Sequence, residues 1–297
     1  RDIFYEGIRM IKDDAMLSGI EAAGVTGDVG LIHGIAFIGQ HTLGRSSRSN
    51  PVTYTGAYDE IRQLYADEQL SRQMGYPAAA FSFNKEGGRC EACKGEGHIT
   101  VEMQFMADIE IECEACKGRR FRKEILEVCY RGVNVADLLD MSVDEAIDFF
   151  AAVNGQQEQK IIRRLMPLRS VGLGYIRLGQ TSSSLSGGEN QRMKLASYLT
   201  QERPQPMLFV FDEPTTGLHF HDIKTLLGAF DALIGRGHTL VVVEHNLEVI
   251  KCADWLIDLG PEGGEAGGHL VCVGTPEEVA ACKTSYTGQF LRGKKIL

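Results

Sequence analysis

The sequence predicts an α/β protein built on a mixed or parallel sheet, with an inserted helical domain that carries a four-cysteine β-hairpin module. Three observations predict this. First, the apolar runs of "PMLFVFDEP" and "HTLVVVEHN" flank "HDIKTLLGAFDALIGRG", an amphipathic stretch closed by glycine. Strand, helix, strand at this spacing is a βαβ unit, whose strands lie parallel. Second, Cys90-x2-Cys93 and Cys113-x2-Cys116 are separated by 19 residues around a strand-like alternation. Third, apolar residues on both sides of that module recur at helical spacing.

Length and composition set the frame. The 297 residues suit one large domain or two ordinary ones. Hydrophobic content of 43% and charged content of 24% are those of a soluble globular chain. No apolar run approaches the roughly 20 residues of a membrane helix, and no secretory signal opens the chain. The chain starts at Arg1 rather than Met, which reads as a fragment or a processed product. A net charge of −9 argues against nucleic-acid binding by the whole surface, but affinity for phosphate depends on where charge sits.

In chain order, Ile8 to Ile20 reads as helical and "GIAFIGQ" (34–40) as a short buried strand ending at Gln40. "HTLGRSSRSNP" is a turn-rich loop. Residues 56–75 place Tyr58, Ile61, Leu64 and Tyr65 on one helical face. Ile99, Val101, Met103 and Phe105 alternate with polar residues, as in a strand with one buried face, and Ile109 and Ile111 continue on a second strand. Helical patterning returns from Asn134 to about Gly172, where Ser142 and Glu145 form a capping-box signal. Cys129, Cys252, Cys272 and Cys282 are scattered and read as reduced, buried cysteines.

The paired cysteines match a zinc pattern. Each CxxC turn aims two thiolates at one point, and four make a closed, structural site. Gly95, Gly97 and Gly118 let the chain fold back around it. The basic run Lys117, Arg119, Arg120, Arg122, Lys123 leaves directly from the last ligand. It supplies candidate contacts to a nucleic-acid backbone, against the plainer reading of a solvated face.

A second constellation concerns phosphate. Asp212 and Glu213 close one strand, where ligands bind in open α/β sheets. Asp212 would hold Mg²⁺ through water and Glu213 would orient an attacking water. His245, ending the neighbouring strand, would reach the same point and touch a γ-phosphate. Ser186, Gly187, Gly188 and Glu189 open a helix, whose free N–H groups and dipole suit an anion. No usable GxxxxGK[ST] phosphate loop is present: the near miss Gly288–Lys295 ends in Lys and has no room for a following helix.

"LSGGE", "LFVFDEPTTGLH" and "VVVEHN" resemble the signature, Walker B with D-loop, and H-loop of ABC-type ATPases. "GRSSRSNPVTYTGAYDEIR", "FSFNKEGGRCEACKGEGHITVEMQFMADIEIECEACKGRRF" and "VGLGYIRLGQTSSSLSGGENQRMKLA" are similar to the second half of the UvrA family, damage-sensing ATPases of the bacterial excision nuclease. The similarity runs from about residue 30 to the C-terminus. It implies an ABC-type core with an inserted signature domain. Residues 1–48 would hold the Q-loop, 49–200 the signature domain with the zinc module at 87–123, and 201–297 the rest of the ATP-binding lobe. Gln40 would be the Q-loop glutamine, Glu213 the catalytic carboxylate and His245 the switch histidine. Ser186 to Glu189 would close over ATP held by another ATPase domain. His219 stands at the usual D-loop aspartate position. The resemblance implies structural Zn²⁺ on Cys90, Cys93, Cys113 and Cys116, and ATP with Mg²⁺ in the full-length protein. It also implies lesion-bearing duplex DNA and UvrB as partners, a homodimer, no membrane and a cytoplasmic location. The phosphate loop would lie upstream, leaving the fragment alone inactive. A transporter-type ATPase would need no four-cysteine module. A chaperone-like zinc binder, suggested by "CEACKGEG", would lack the signature.

Overall fold

The computed structural model describes residues 4–12, 27–39, 49–101, 109–200, 205–260, 262 and 267–293. Two units form, one from residues 1–39 and 205–297, the other from residues 40–204. The first begins with α1 (Phe4–Lys12) and β1 (Gly34–Ile38). Ile8 is buried against Leu208 and Val210, and Tyr5 tilts over Phe37 with ring centroids 5.5 Å apart. The helix expected to Ile20 and the loop expected after Gln40 extend outside the described residues, as does Gln40 itself.

The second unit opens with α2 (Pro51–Tyr54). Asn50 caps it by accepting from Thr53 N at 3.0 Å, and Pro51 fills the first position, where no N–H is needed. α3 (Ala57–Ala66) buries Tyr58, Ile61, Leu64 and Tyr65, the expected face. The expected helix does not run unbroken to residue 75. It stops at Asp67 and restarts as α4 (Gln69–Met74). The Ser71 hydroxyl donates to Tyr65 O at 2.7 Å, taking a carbonyl that a continuous helix would use.

β2 (His98–Val101) and β3 (Ile109–Glu112) pair antiparallel, with Ile99 opposite Ile111 and Val101 opposite Ile109. The expected buried face is corrected here: all four side chains are exposed. Alternation marks one apolar face but not what covers it. Within the module, the buried cluster is the four cysteines. Met103 and Phe105 lie outside the described residues.

α5 (Lys123–Leu126) leads into a short ribbon, β4 (Cys129–Tyr130) with β5 (Val133–Asn134). Asn134 caps α6 (Val135–Asp140). Ser142 and Glu145 cap α7 (Val143–Ala151) reciprocally, at 2.8 and 3.2 Å, as their spacing predicts. α8 (Gln156–Ser170) follows. The segment after α8 is a strap of successive turns. Ile176 O and Leu178 N bond Val143 N and Met141 O, Gly179 N bonds Leu139 O, Leu178 O accepts from Val52 N, and Ser182 N bonds Ser49 O. This strap delivers the chain to α9 (Gly187–Thr200).

Back in the first unit, β6 (Met207–Asp212) is central, parallel to β1 on one side and to β7 (Thr239–Val243) on the other. All of β6 but Asp212 is buried, which is why it reads as a continuous apolar run. α10 (Phe220–Ile234) crosses between β6 and β7 and ends at Gly235, as the sequence predicts. α11 (Leu247–Ile250) precedes an antiparallel hairpin of β8 (Leu256–Gly260) and β9 (His269–Gly274), then α12 (Pro276–Ala281) and α13 (Tyr286–Leu291). The scattered cysteines are not the buried residues expected: Cys129 is exposed, and Cys252, Cys272 and Cys282 are half-buried.

Candidate functional site

The parallel register brings the sheet's acidic residues to one edge. Asp212 pairs with Val243 as the last rung between β6 and β7, so the loops after both strands emerge side by side. Glu213 N donates to Val243 O at 2.9 Å. Glu213 adopts a left-handed backbone, φ 45°, which is uncommon for a residue with a Cβ and clusters at functional sites. The turn aims its carboxylate at His245, whose Nε2 lies 3.6 Å from Glu213 Oε1. The Thr216 hydroxyl donates to Glu213 Oε2 at 3.4 Å. Both side chains are open to solvent, the imidazole 82% and the carboxylate 47% exposed. His219, exposed, is the N-cap of α10.

Glu244 was given no role by sequence reasoning, yet it braces this edge. Its Oε1 accepts from Thr215 N at 2.8 Å, and its Oε2 accepts from His245 N and Asn246 N at 2.8 and 2.9 Å. One carboxylate thus ties the loop after β6 to the loop after β7. Its only signal was a second acid at a strand end.

In the other unit, Ser186 is exposed at the start of α9. Its Oγ accepts from Glu189 N at 3.3 Å, and Glu189 Oε2 accepts from Ser186 N at 2.7 Å, a reciprocal capping box. Tyr175 OH donates to Glu189 Oε1 at 2.6 Å. Burial pushes the Glu189 carboxyl up, but hydrogen bonds from Tyr175 and Ser186 and the Arg192 charge outweigh it, and its pKa falls below the ordinary value. Asn190, fully buried, donates from Nδ2 to Ser182 O, Leu185 O and Ser186 O at 3.3, 3.1 and 3.1 Å. It holds the turn before the helix, another role that sequence reasoning missed. The Ser186 O–H and the N–H groups of Gly187 and Gly188 are of the type that receives an anion.

Cys90, Cys93, Cys113 and Cys116 are buried and unpaired, with their sulfurs all within 4.8 Å of one another. Cys90–Cys113 and Cys93–Cys116 sulfur separations are 3.9 and 3.6 Å. The edge of a tetrahedron with metal–sulfur bonds of ~2.3 Å is about 3.8 Å, so the set fits one four-coordinate ion. Both turns have the sequence CEACKG and the same backbone: Lys94 and Lys117 at φ 52° and 51°, then Gly95 and Gly118 at φ 87° and 73°. Gly97 N donates to Cys93 Sγ at 3.3 Å. Burial drives the Cys116 thiol up to about 12 and raises Cys93, while the Cys116 N–H lowers Cys113.

No family model matches the chain. It is 54% identical over 255 residues to UvrABC system protein A of Aquifex aeolicus, spanning 86% of this chain and 27% of that protein. To its counterpart in Clostridium perfringens it is 48% identical over 291 residues, 98% of this chain and 30% of that protein. The crystal structure of UvrA2 from Deinococcus radiodurans matches with a TM-score of 0.84 and 46% identity, over 92% of this chain and 33% of that one. The chain belongs to the UvrA family. It spans well under half the length of these curated UvrA relatives.

The basic run of this UvrA-family chain is not one uniform face. Arg119 pairs with Asp137 at 2.7 Å and donates to Asn134 Oδ1 at 3.0 Å. Arg122 pairs with Glu124 at 3.4 Å. Arg120 turns inward. Its Nη1 donates to Gly179 O at 2.9 Å, its guanidinium lies 5.6 Å from the Phe83 ring centre, and burial lowers its pKa. Lys117 and Lys123 are exposed and make no ion pair among the described residues.

Proposed function

We propose that this chain is part of a DNA-repair ATPase of the ABC class, which couples ATP hydrolysis to damage recognition in bacterial nucleotide excision repair. The observation that carries the reading is the placing of Glu213 and His245 at the ends of adjacent parallel strands, on a loop edge braced by Glu244. That edge suits the terminal phosphate of a nucleotide. Asp212 would hold Mg²⁺ through water, and the ion would neutralise phosphate charge. Glu213 would orient the attacking water, and His245 would contact the γ-phosphate. Gln40 would complete the set. Ser186, Gly187, Gly188 and Glu189 would cap ATP held by another ATPase domain, the Ser186 hydroxyl donating to a γ-phosphate oxygen.

Zinc is the ion the four thiolates favour, as a structural crosslink. Lys117 and Lys123 are the stronger candidates for a duplex backbone, with Arg122 and Arg119 next, since their present partners are surface acids that a phosphate could replace. Lesions of varied chemistry share no base code, so damage would be sensed through duplex deformability. UvrB, a homodimeric arrangement and a cytoplasmic location follow from the same family reading. The transporter alternative gives no use to the cysteine module.

The test is ATP turnover by the chain alone and by the chain joined to the nucleotide-binding part that the resemblance places upstream. The lone chain is expected to turn over negligibly. The joined protein is expected to hydrolyse ATP, and Glu213→Gln to abolish this while leaving nucleotide binding intact. Turnover indifferent to Glu213→Gln would refute the assignment.

A further inference from the structure

Among the described residues, three helices begin with the same device, a Ser or Thr and a Glu three positions on that cap each other. At α7, Ser142 N donates to Glu145 Oε2 at 2.8 Å and Glu145 N to Ser142 Oγ at 3.2 Å. At α12, Thr275 N donates to Glu278 Oε2 at 2.8 Å and Glu278 N to Thr275 Oγ1 at 3.4 Å. At α9, Ser186 and Glu189 make the same exchange. In each box the glutamate spends one oxygen on the cap, and the fate of the other oxygen differs. The Tyr175 phenol donates to Glu189 Oε1 at 2.6 Å. No third residue donates to the Glu145 or Glu278 carboxylate among the described residues. The two plainer boxes show that a helix cap has no need of a tyrosine.

Tyr175 contributes little to packing, since it is 60% exposed. It lies 14 positions before Glu189 and outside the helix that it touches. Its backbone is held from both sides. Gly174 O and Ile176 O accept from Asp144 N and Val143 N, each at 2.9 Å, in the first turn of α7. Gly174 permits this approach, because a Cβ there would lie 2.3 Å from Asp144 Oδ2. The phenol therefore stands on a base tied to α7 and reaches the turn that opens α9. Burial and the bond to Glu189 raise the Tyr175 pKa, which keeps the phenol a donor across the neutral range.

With the phenol on Oε1 and the Ser186 amide on Oε2, the Glu189 carboxylate has a donor on each oxygen. Ser186 N and Ser186 Oγ both bond Glu189, so a fixed carboxylate fixes the serine. Two donors also offset part of the negative charge that an arriving phosphate would meet.

We propose that Tyr175 is a positioning residue for the Ser186 turn: through Glu189 it holds the Ser186 hydroxyl toward an incoming γ-phosphate. The proposal rests on the reading of Ser186 as a cap on ATP held by another ATPase domain. Tyr175 touches no reacting atom. The phosphate loop that first binds ATP lies elsewhere, so the phenol supports the closed arrangement in which hydrolysis occurs and leaves the initial binding of nucleotide alone.

Tyr175→Phe tests this, because it removes one oxygen and keeps the ring. In the chain alone, carbon NMR titration of the glutamate side chains is expected to show the Glu189 pKa rising toward its ordinary value, since a bond that lowers it is gone, with Glu145 unmoved. In the chain joined to the upstream nucleotide-binding part, kcat for ATP is expected to fall several-fold at unchanged KM, and the loss to vanish in a Glu189→Ala background. An unmoved Glu189 titration, an unchanged kcat, or a loss that persists in full beside Glu189→Ala overturns the proposal. Failure of the ATPase reading looks different, since turnover of the joined protein then ignores Glu213→Gln. Turnover abolished by Glu213→Gln yet equal in wild type and Tyr175→Phe removes the positioning role alone.

Discussion

Arg120 separates two roles for the basic run. If it contacted a DNA phosphate, its removal would weaken duplex binding and lower the salt slope by about one unit while leaving folding untouched. The structure gives it a different task. Its backbone lies in the metal module, at φ 68°, with its carbonyl accepting from Cys90 N at 2.8 Å. Its side chain crosses to buried Gly179, on the strap that leads to Ser186. Arg120→Ala removes a hydrogen bond from a charged donor, worth ~1.5–3 kcal/mol, and a contact with the Phe83 face worth ~0.5–1 kcal/mol. Partial solvent access trims the sum to about 2 kcal/mol, or roughly a 30-fold rise in local opening. Trp255, the single tryptophan, lies in the other unit, so its fluorescence does not report this change. Hydrogen exchange in peptides covering 139–143 and 176–186 does, through the Gly179 N–H bound to Leu139 O and the Leu178 N–H bound to Met141 O. Exchange there is expected to accelerate at unchanged metal content. Rates within about twofold of wild type, together with lost duplex affinity, would refute the strut and restore Arg120 as a phosphate contact.

Two other expectations concern the metal module and the signature turn. Cys93→Ser, or chelation, should strip hydrogen-exchange protection from residues 87–123 while β1, β6 and β7 stay protected, because the module and the sheet belong to different units; simultaneous loss of both would contradict this. Glu189 has a lowered pKa in the fold. Its contribution is therefore fully present above the unfolded carboxylate value and is lost as pH falls through the lower, folded one. Amide exchange at the start of α9, followed by NMR, should rise in that acid window, and Glu189→Gln should remove the pH dependence.

What was legible in the sequence was whatever a short run of residues decides by itself. Leu208 to Phe211 are apolar on both faces because β6 is flanked by parallel neighbours, and the acid after them marks the strand's end. Ser142 and Glu145 make their cap within four residues. The cysteines declare their geometry by spacing. What was not legible depends on partners distant in the chain. The brace at Glu244 needs Thr215, 29 positions away, to arrive beside it. Arg120 reads as one charge in a basic run, and only the return of Gly179, 59 positions on, turns it inward. The β2–β3 alternation was read as facing a core because one usually exists, whereas here it stands exposed beside a module centred on sulfur.

The two CEACKG turns look interchangeable in sequence, but their surroundings are not. Gly95 and Gly118, which close the two turns, both have positive φ, so replacing either with alanine costs about 1 kcal/mol in backbone strain. A Cβ on Gly118 would meet nothing nearer than the Glu112 carboxylate at 3.7 Å, an ordinary contact. A Cβ on Gly95 would sit 1.8 Å from Phe83 O, a backbone atom with no rotamer to escape into. Moving that carbonyl would pull Phe83 off the Tyr58 ring, now stacked at 5.1 Å, and off Phe121. Gly95→Ala is therefore expected to lower metal affinity much more than Gly118→Ala, measured by competition with a chromogenic chelator on the purified chain. Equal losses would mean that the strained turn alone sets metal affinity and that the seat against Phe83 is incidental.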